Sequence, residues 1–228
     1  MQNTASQQFL RGVKDELPIL LGVAPFGMIY GILALSAGLP ALEAQAMSAV
    51  IFAGASQLMT VQLIQEAVPW TVIVLTGFVI NLRHALYSAT VAPYLQHLPR
   101  RWKAVLAYLL TDEAFAVASL NYQREGITRF SHWYFLGAGL ALWSSWQVST
   151  AVGIFLGAQV PQAWGLDFTL PLTFIALVVP ALKDRAGLVT AITASVAALA
   201  FFGLPYKLGL IVAAALAIAA GMWTEVRQ

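Results

Sequence analysis

The sequence predicts an all-α membrane protein, a polytopic helical bundle of about eight hydrophobic segments with broken or re-entrant elements. Its composition points there first: 60% of the residues are apolar and only 10% charged, whereas soluble globular domains carry about 25% charged residues. Mean hydropathy is correspondingly high, at +0.77. The placement of the remaining charges is the further clue. Between Leu17 and Trp223 the chain is nearly all apolar, yet it keeps Arg83, Asp112, Glu113 and Asp167 there. Charges are expensive in hydrocarbon, and those that persist there mark the path of something polar.

The first element is a short amphipathic stretch. Phe9, Leu10, Val13 and Leu17 recur at helical spacing opposite Arg11, Lys14 and Asp15. That pattern predicts a cytoplasmic N-terminal helix over residues 1–16 lying on the membrane surface. It precedes a single transmembrane transport domain over 17–228. A cleavable signal would instead run from positive charge directly into a short apolar core and a small-residue cleavage site.

A helix needs about 20 apolar residues to cross roughly 30 Å of hydrocarbon. The uncharged runs 17–42, 44–65, 133–166 and 186–206 meet that requirement alone. Runs 67–82, 168–182 and 208–224 come close, and 104–123 is interrupted by Asp112 and Glu113. Eight ordinary crossings would put Arg11, Lys14, Arg124, Arg129, Lys183, Arg185 and Arg227 on one side, against Arg100, Arg101, Lys103 and Lys207. Because Lys and Arg collect in cytoplasmic loops, that is a poor separation. It improves if 104–123 and one of the first two segments each enter and leave on the same side. Then only Lys207 among the loop cations is misplaced. Both counts put both termini in the cytoplasm.

The segments chosen as irregular have local reasons to be so. The first contains Pro25-Phe26-Gly27, and proline removes a helix hydrogen bond while glycine relaxes the backbone. The second contains Phe52-Ala53-Gly54-Ala55-Ser56-Gln57. Non-helical backbone at membrane depth survives only where protein or a water-filled cavity covers it, and in transporters it marks binding sites. A simple proline kink is the alternative.

Polar residues inside the segments are the candidate machinery. Arg83, in Asn81-Leu82-Arg83-His84, would sit about 20 Å along a helix that starts at Trp70. Buried so deeply, it would need an acid or a carboxylate as partner. If the span ends near Asn81, Arg83 instead snorkels to headgroups. Asp112 and Glu113 are adjacent and so cannot face one partner: one can pair with a base while the other lines a cavity and exchanges a proton. An interfacial turn is the bland alternative. Asp167 reads either as a helix cap or as an ion or substrate contact. Trp143 and Trp146 stand away from the segment ends, in Trp143-Ser144-Ser145-Trp146-Gln147, and a mid-bilayer indole N–H wants a partner. Cavity lining by these residues and ordinary helix packing are both open. Small residues four apart (Gly27/Gly31, Gly153/Gly157, Ala213/Ala217/Gly221) allow close helix approach.

Several functions are disfavoured. A net charge of +2 without a continuous basic surface gives no nucleic-acid partner. With no cysteine, disulfides and thiolate chemistry are excluded. His84, His97 and His132 lack metal-ligand spacing, and no hydrolytic or phosphate-cradling motif stands in the chain, so neither an enzyme nor a cofactor is implied. A channel, or a permease for another small polar solute, remains the alternative to a carrier.

Taken in order, Pro25-Phe26-Gly27, the run Phe52-Ala53-Gly54-Ala55-Ser56-Gln57, Asn81-Leu82-Arg83-His84, Thr111-Asp112-Glu113 and Leu166-Asp167-Phe168 before Phe174-Ile175-Ala176-Leu177 resemble the AzlC family. These are the large subunits of bacterial branched-chain amino acid exporters. The resemblance runs from Phe9 to Trp223. It implies a multi-pass permease of the bacterial cytoplasmic membrane that exports leucine, isoleucine, valine or similar amino acids. It also implies a small hydrophobic AzlD-type partner and coupling to the proton gradient. Pro25, Phe26, Gly27, Gly54, Ser56, Gln57, Asn81, Arg83, Trp143 and Gln147 are the expected substrate-binding residues. Asp112, Glu113 and Asp167 are the expected proton-coupling acids.

Overall fold

A computed structural model describes residues 4–159, 182, 184–205 and 208–226. Asp167, the segment 168–182 and the motif at 174–177 lie outside the described residues. Among those described, every extended regular element is an α-helix: α1 (Ala5–Ser36), α2 (Ala41–Val50), α3 (Gly54–Gln65), α4 (Trp70–Asn81), α5 (Arg83–Leu95), α6 (Arg100–Tyr108), α7 (Asp112–Glu125), α8 (Ser131–Gly157), α9 (Arg185–Ala200) and α10 (Leu208–Val226). Three stretches are long and apolar enough, by length and composition, to cross a membrane: Ala5–Ser36, Trp70–Leu95 and Leu208–Glu225. Of the other expected crossings, 133–166 contains the uninterrupted 27-residue α8 and 186–206 the 16-residue α9, while 168–182 lies outside the described residues. Segment 44–65 is split into α2 and α3, and 104–123 into α6 and α7.

The chain divides into two compact units, residues 1–66 with 80–164, and residues 67–79 with 165–228. The first is organised around α1 and α8, whose mutual contact is the most extensive between any two described helices. They run parallel and meet through glycine. A methyl group added at Gly27 would lie 2.9 Å from the Ser149 Cβ, and one at Gly31 would lie 2.5 Å from the Thr150 carbonyl oxygen. Gly12 and Gly137 sit against the backbones of Tyr134 and Phe9, and Gly153 against that of Met28. Without side chains in the way, the two backbones approach closely over most of their length.

That contact explains a correction. The break expected at Pro25-Phe26-Gly27 does not occur: α1 is helical from Ala5 to Ser36, passing both Pro18 and Pro25. A capping box starts it, with the Thr4 hydroxyl accepting from the Gln7 amide at 3.3 Å and the Gln7 side chain accepting from the Thr4 amide at 3.0 Å. Pro25 is exposed, so its ring points away from the partner helix, while buried Gly27 lies against α8. Packing along the glycine face holds the helix through the missing hydrogen bond. The amphipathic stretch and the first hydrophobic segment are therefore one continuous helix, and Gly12 and Glu16 are buried.

The helix α2 descends beside α8, opposite in direction to α1. Tyr30 donates to the Ala44 carbonyl at 2.7 Å, and Ser48 and Thr150 share a hydroxyl–hydroxyl bond of 2.9 Å. The pair α6–α7 forms a hairpin that returns to its starting level. At one end Trp102 packs against His132 and Trp133, with ring centroids 4.7 and 5.1 Å away, while Tyr122 reaches the Ser131 carbonyl at 3.3 Å. At the other end, Leu109 abuts Gly139. So both arms finish beside the first turn of α8. Helix α5 accompanies α7 downward: Tyr87 stacks on Phe115 at 4.6 Å and Tyr94 on Tyr122 at 5.0 Å.

In the second unit α9 packs on α10. The expected small-residue face is used here: Ala213, Ala217 and Gly221 are buried, and Gly221 lies against the Thr190 hydroxyl. Asp184 caps α9 by accepting from the Gly187 amide at 2.6 Å.

Candidate functional site

Two helix breaks and the α4–α5 join come together in the first unit. The α2–α3 break spans Ile51, Phe52 and Ala53, the α6–α7 break spans Leu109, Leu110 and Thr111, and the join is the single residue Leu82, whose backbone stays helical. Tyr108 links the two breaks: its hydroxyl donates to the Ala49 carbonyl, and its ring lies 6.2 Å from that of Phe52. The start of α3 meets the end of α4 where Asn81 donates to the Ser56 hydroxyl at 3.4 Å. The start of α5 meets the start of α7 where Arg83 and Asp112 form an ion pair at 3.1 Å. Helix α8 flanks the cluster with Trp143, Trp146 and Gln147.

Local chemistry accounts for these starts. The Thr111 side chain caps α7 by accepting from the Ala114 amide at 3.3 Å. Asp112 and Glu113 then occupy its first turn, where negative charge is favoured by the helix dipole. Gly54 begins α3 where a side chain would strike Trp146: an added methyl would lie 2.8 Å from the indole.

The expected residues divide by what they touch. Arg83 has an acidic partner, and the two adjacent acids do diverge: Asp112 pairs with Arg83 while Glu113 is half-buried beside it. Both indole N–H groups are satisfied across helices. Trp143 donates to the Tyr108 hydroxyl at 2.7 Å and Trp146 to the Gln57 side-chain oxygen at 3.1 Å. Gln57, fully buried, also donates to the Met47 carbonyl at 3.1 Å. Gln147 donates to the Ser48 carbonyl at 3.1 Å and accepts from Gln45 at 2.8 Å. Pro25, Phe26 and Gly27 belong to the continuous part of α1 and supply no broken backbone. Asp167 lies outside the described residues.

Three buried polar atoms at or near the breaks have no hydrogen-bond partner among the described residues: the Asn81 side-chain oxygen, the Arg83 Nε and the Gln45 side-chain oxygen. Such groups are normally paired. A mostly apolar cavity of about 220 Å³ lies between α5 and α6, lined by Leu95, Gln96, Lys103, Leu106, Leu110 and Phe135, among others. Leu110 stands two residues before Asp112, so the cavity reaches the α6–α7 break.

Sequence reading missed Tyr108, Gln45, Ser48 and above all Glu16. Tyr108 could have been found from its place beside the acids in an otherwise apolar segment. Glu16 shares a helix face with Gly12, Val23 and Gly27, all buried, and that spacing was its signal. Nearer the helix ends, Arg11 bonds Glu125 at 2.7 Å and Asn121 at 3.3 Å. The guanidinium holds the exposed Glu125 carboxyl below its ordinary range.

Comparison with known proteins adds the family. A curated Archaeoglobus fulgidus relative described as an uncharacterized membrane protein is 32% identical over 216 residues, covering 93% of this chain and 93% of that protein. The Escherichia coli inner membrane protein YgaZ is 29% identical over 208 residues, 88% of this chain and 84% of its own length. The Bacillus subtilis branched-chain amino acid transport protein AzlC is 28% identical over 193 residues, 82% and 74% respectively. No solved structure matches. The family description "AzlC protein" matches residues 18–160, a span that contains both helix breaks and the Arg83–Asp112 pair, and the chain belongs to the AzlC family.

Proposed function

We propose that this chain is a multi-pass carrier of the bacterial cytoplasmic membrane that exports branched-chain or similar hydrophobic amino acids. In this reading both termini are cytoplasmic, a small AzlD-type membrane protein is its partner, and export is coupled to the proton gradient. The observation that carries it is the Arg83–Asp112 ion pair where two helix breaks meet Leu82, with polar atoms of Asn81, Arg83 and Gln45 unpaired among the described residues and a mostly apolar cavity reaching the α6–α7 break. An apolar zwitterion needs that combination: a hydrophobic pocket and separate partners for its two charges. The name of the Bacillus subtilis relative supports the substrate class.

Within this reading Arg83 takes the substrate carboxylate, with Asn81, Ser56 and Gln57 around it and Trp143, Gly54 and Gln147 shaping the wall. Asp112, Glu113 and Asp167 are the acids available to the substrate ammonium and to coupling. The hairpin α6–α7 enters and leaves on the cytoplasmic side, so its tip brings the acids to mid-depth without a crossing.

Counterflow in proteoliposomes tests the proposal, with and without the small protein. A carrier exchanges labelled for unlabelled leucine, whereas a channel for another solute gives an uncoupled leak or nothing. Arg83→Lys should lose about tenfold or more of the exchange, the worth of one charge-assisted hydrogen bond. Undiminished exchange by both Arg83→Lys and Arg83→Gln would remove Arg83 from the site.

A further inference from the structure

Helix α1 changes character at Leu17. From there to Ser36 it carries no charge for 20 residues, the length that crosses a bilayer, and just before that run stand Arg11, Lys14, Asp15 and Glu16. These four therefore lie at the membrane's edge. Helix α7 changes at the same level: Leu120 is 51% exposed, and Arg124 follows it one turn later. Arg11 fixes that level by bonding Glu125 at 2.7 Å and Asn121 at 3.3 Å across the two helices.

Between them opens a cavity of about 370 Å³, lined by Arg11, Lys14, Asp15, Asn121, Arg124 and Tyr134, among others. Its floor is already paired. Arg11 is held by Glu125 and Asn121 with its guanidinium 5.9 Å from the centre of the Tyr134 ring, and Asp15 accepts from the Tyr134 hydroxyl at 2.8 Å. Lys14 and Arg124 are different. Both are exposed, and neither enters an ion pair among the described residues. The three cations outnumber the carboxylates beside them, Asp15 and Glu125, by one. A braced floor, one uncommitted cation from each helix and a single excess positive charge suit one monovalent anion.

The apolar side of the cavity says which anion. Pro18, Val117 and Leu120 belong to its lining. Past them the outer face of α1 stays apolar: Leu17 and Leu21, three and seven residues after Lys14, are 52% and 80% exposed. A free phosphate gains nothing from such a face. A phospholipid does, because its acyl chains hang from the phosphodiester into the apolar layer. Basic pockets between transmembrane helices take anionic headgroups in this way, and a guanidinium offers phosphate a matching pair of donors.

We propose that this cavity binds one anionic phospholipid of the phosphatidylglycerol type. Lys14 and Arg124 take its phosphodiester from either side, Arg11 adds its charge from the floor, and the acyl chains run along Leu17, Leu21 and Leu120. The site goes beyond the exporter reading and does not depend on it. Its lipid joins α1 to the end of α7 opposite the Arg83–Asp112 pair, so the α6–α7 hairpin is anchored partly through the surrounding bilayer.

Native mass spectrometry of the full-length protein in a non-ionic detergent tests this, by counting bound lipid during titration with phosphatidylglycerol or phosphatidylcholine. One phosphatidylglycerol should be retained where phosphatidylcholine is stripped. Lys14→Gln and Arg124→Gln should each weaken retention about fivefold, the worth of one cation near an anionic headgroup, and the double substitution by more than about tenfold. Both side chains are exposed, so the variants should fold. The control is Arg100→Gln with Arg101→Gln, exposed cations outside the cavity, which should leave retention unchanged. Equal retention of the two lipids, or an equal loss in the control, reduces the effect to general surface charge and overturns the site. Displacement of the lipid by inorganic phosphate overturns the lipid assignment in favour of the free anion, and displacement by leucine gives the cavity to the substrate. In a separate thermal scan, phosphatidylglycerol should raise the wild-type unfolding midpoint above that in phosphatidylcholine. The same rise in the double variant would place the lipid elsewhere.

Discussion

The first helix and the α6–α7 hairpin invert what their sequences suggest. Helix α1 carries two prolines and runs unbroken for 32 residues. The stretch Leu109-Leu110-Thr111 contains neither proline nor glycine, yet there the chain stops one helix and starts another. Proline costs a helix about 3 kcal/mol in its interior, but in α1 the glycine face against α8 secures the turns on either side. At Thr111 no such face exists. Instead the hydroxyl caps the new helix, two acids sit at its favourable end, and Arg83 meets one of them. A break forms where its exposed backbone groups and charges have partners, and a proline alone does not supply them.

The largest expected effect bears on the hairpin. Both Gln96 and Gln123 are exposed, and the stacking of Tyr94 on Tyr122 puts these chain ends at one level. With no native cysteine, single cysteines at these two positions can be read without background. An impermeant thiol reagent applied outside intact cells should label neither, and both after the membrane is opened. Labelling of Gln96→Cys alone from outside would turn the hairpin into a crossing and dissolve the contrast.

Next comes the glycine face. Gly31→Leu forces a side chain into the Thr150 and Ile154 backbone, an overpacking expected to cost about 3 kcal/mol or more. Thermal unfolding in detergent should show a clear fall in midpoint. An unchanged midpoint would mean that something other than this face holds α1 through Pro25.

A smaller, opposed pair sharpens the comparison further. Thr111→Ala deletes the α7 cap and should cost about 1 kcal/mol, with coupling weakened alongside. Pro25→Ala should leave stability equal or higher, because α1 already has helical geometry there, and transport should be retained. Lower stability in Pro25→Ala together with a silent Thr111→Ala would reverse the explanation given for both elements.

Much of the candidate site was legible because it rested on cost. Buried charges and mid-segment tryptophans demand partners, so Arg83, Asp112, Trp143 and Trp146 could be singled out before their partners were known. Loop charge predicts that 104–123 enters and leaves on one side, and the structure divides that segment into the two arms of a hairpin at Leu109–Thr111. Glu16 was obscured because residues 9–17 also fit a surface helix. Local periodicity cannot tell a face turned to water from one packed on α8, which is distant in sequence. Pro25 misled for the same reason: tertiary packing from residues 146–153 decided the outcome.

The glycine seam between α1 and α8 has a mechanical consequence. Two helices in backbone contact along their length cannot slide or tilt past one another without collision, so they behave as a single stiff beam. The tips of α2–α3 and α6–α7 are joined to each other by the Tyr108–Ala49 bond and to that beam by hydrogen bonds such as Trp146 to Gln57 and Trp143 to Tyr108. Any opening and closing of the first unit is therefore the work of its two jointed fingers, and a cross-link between positions 49 and 108 should freeze it.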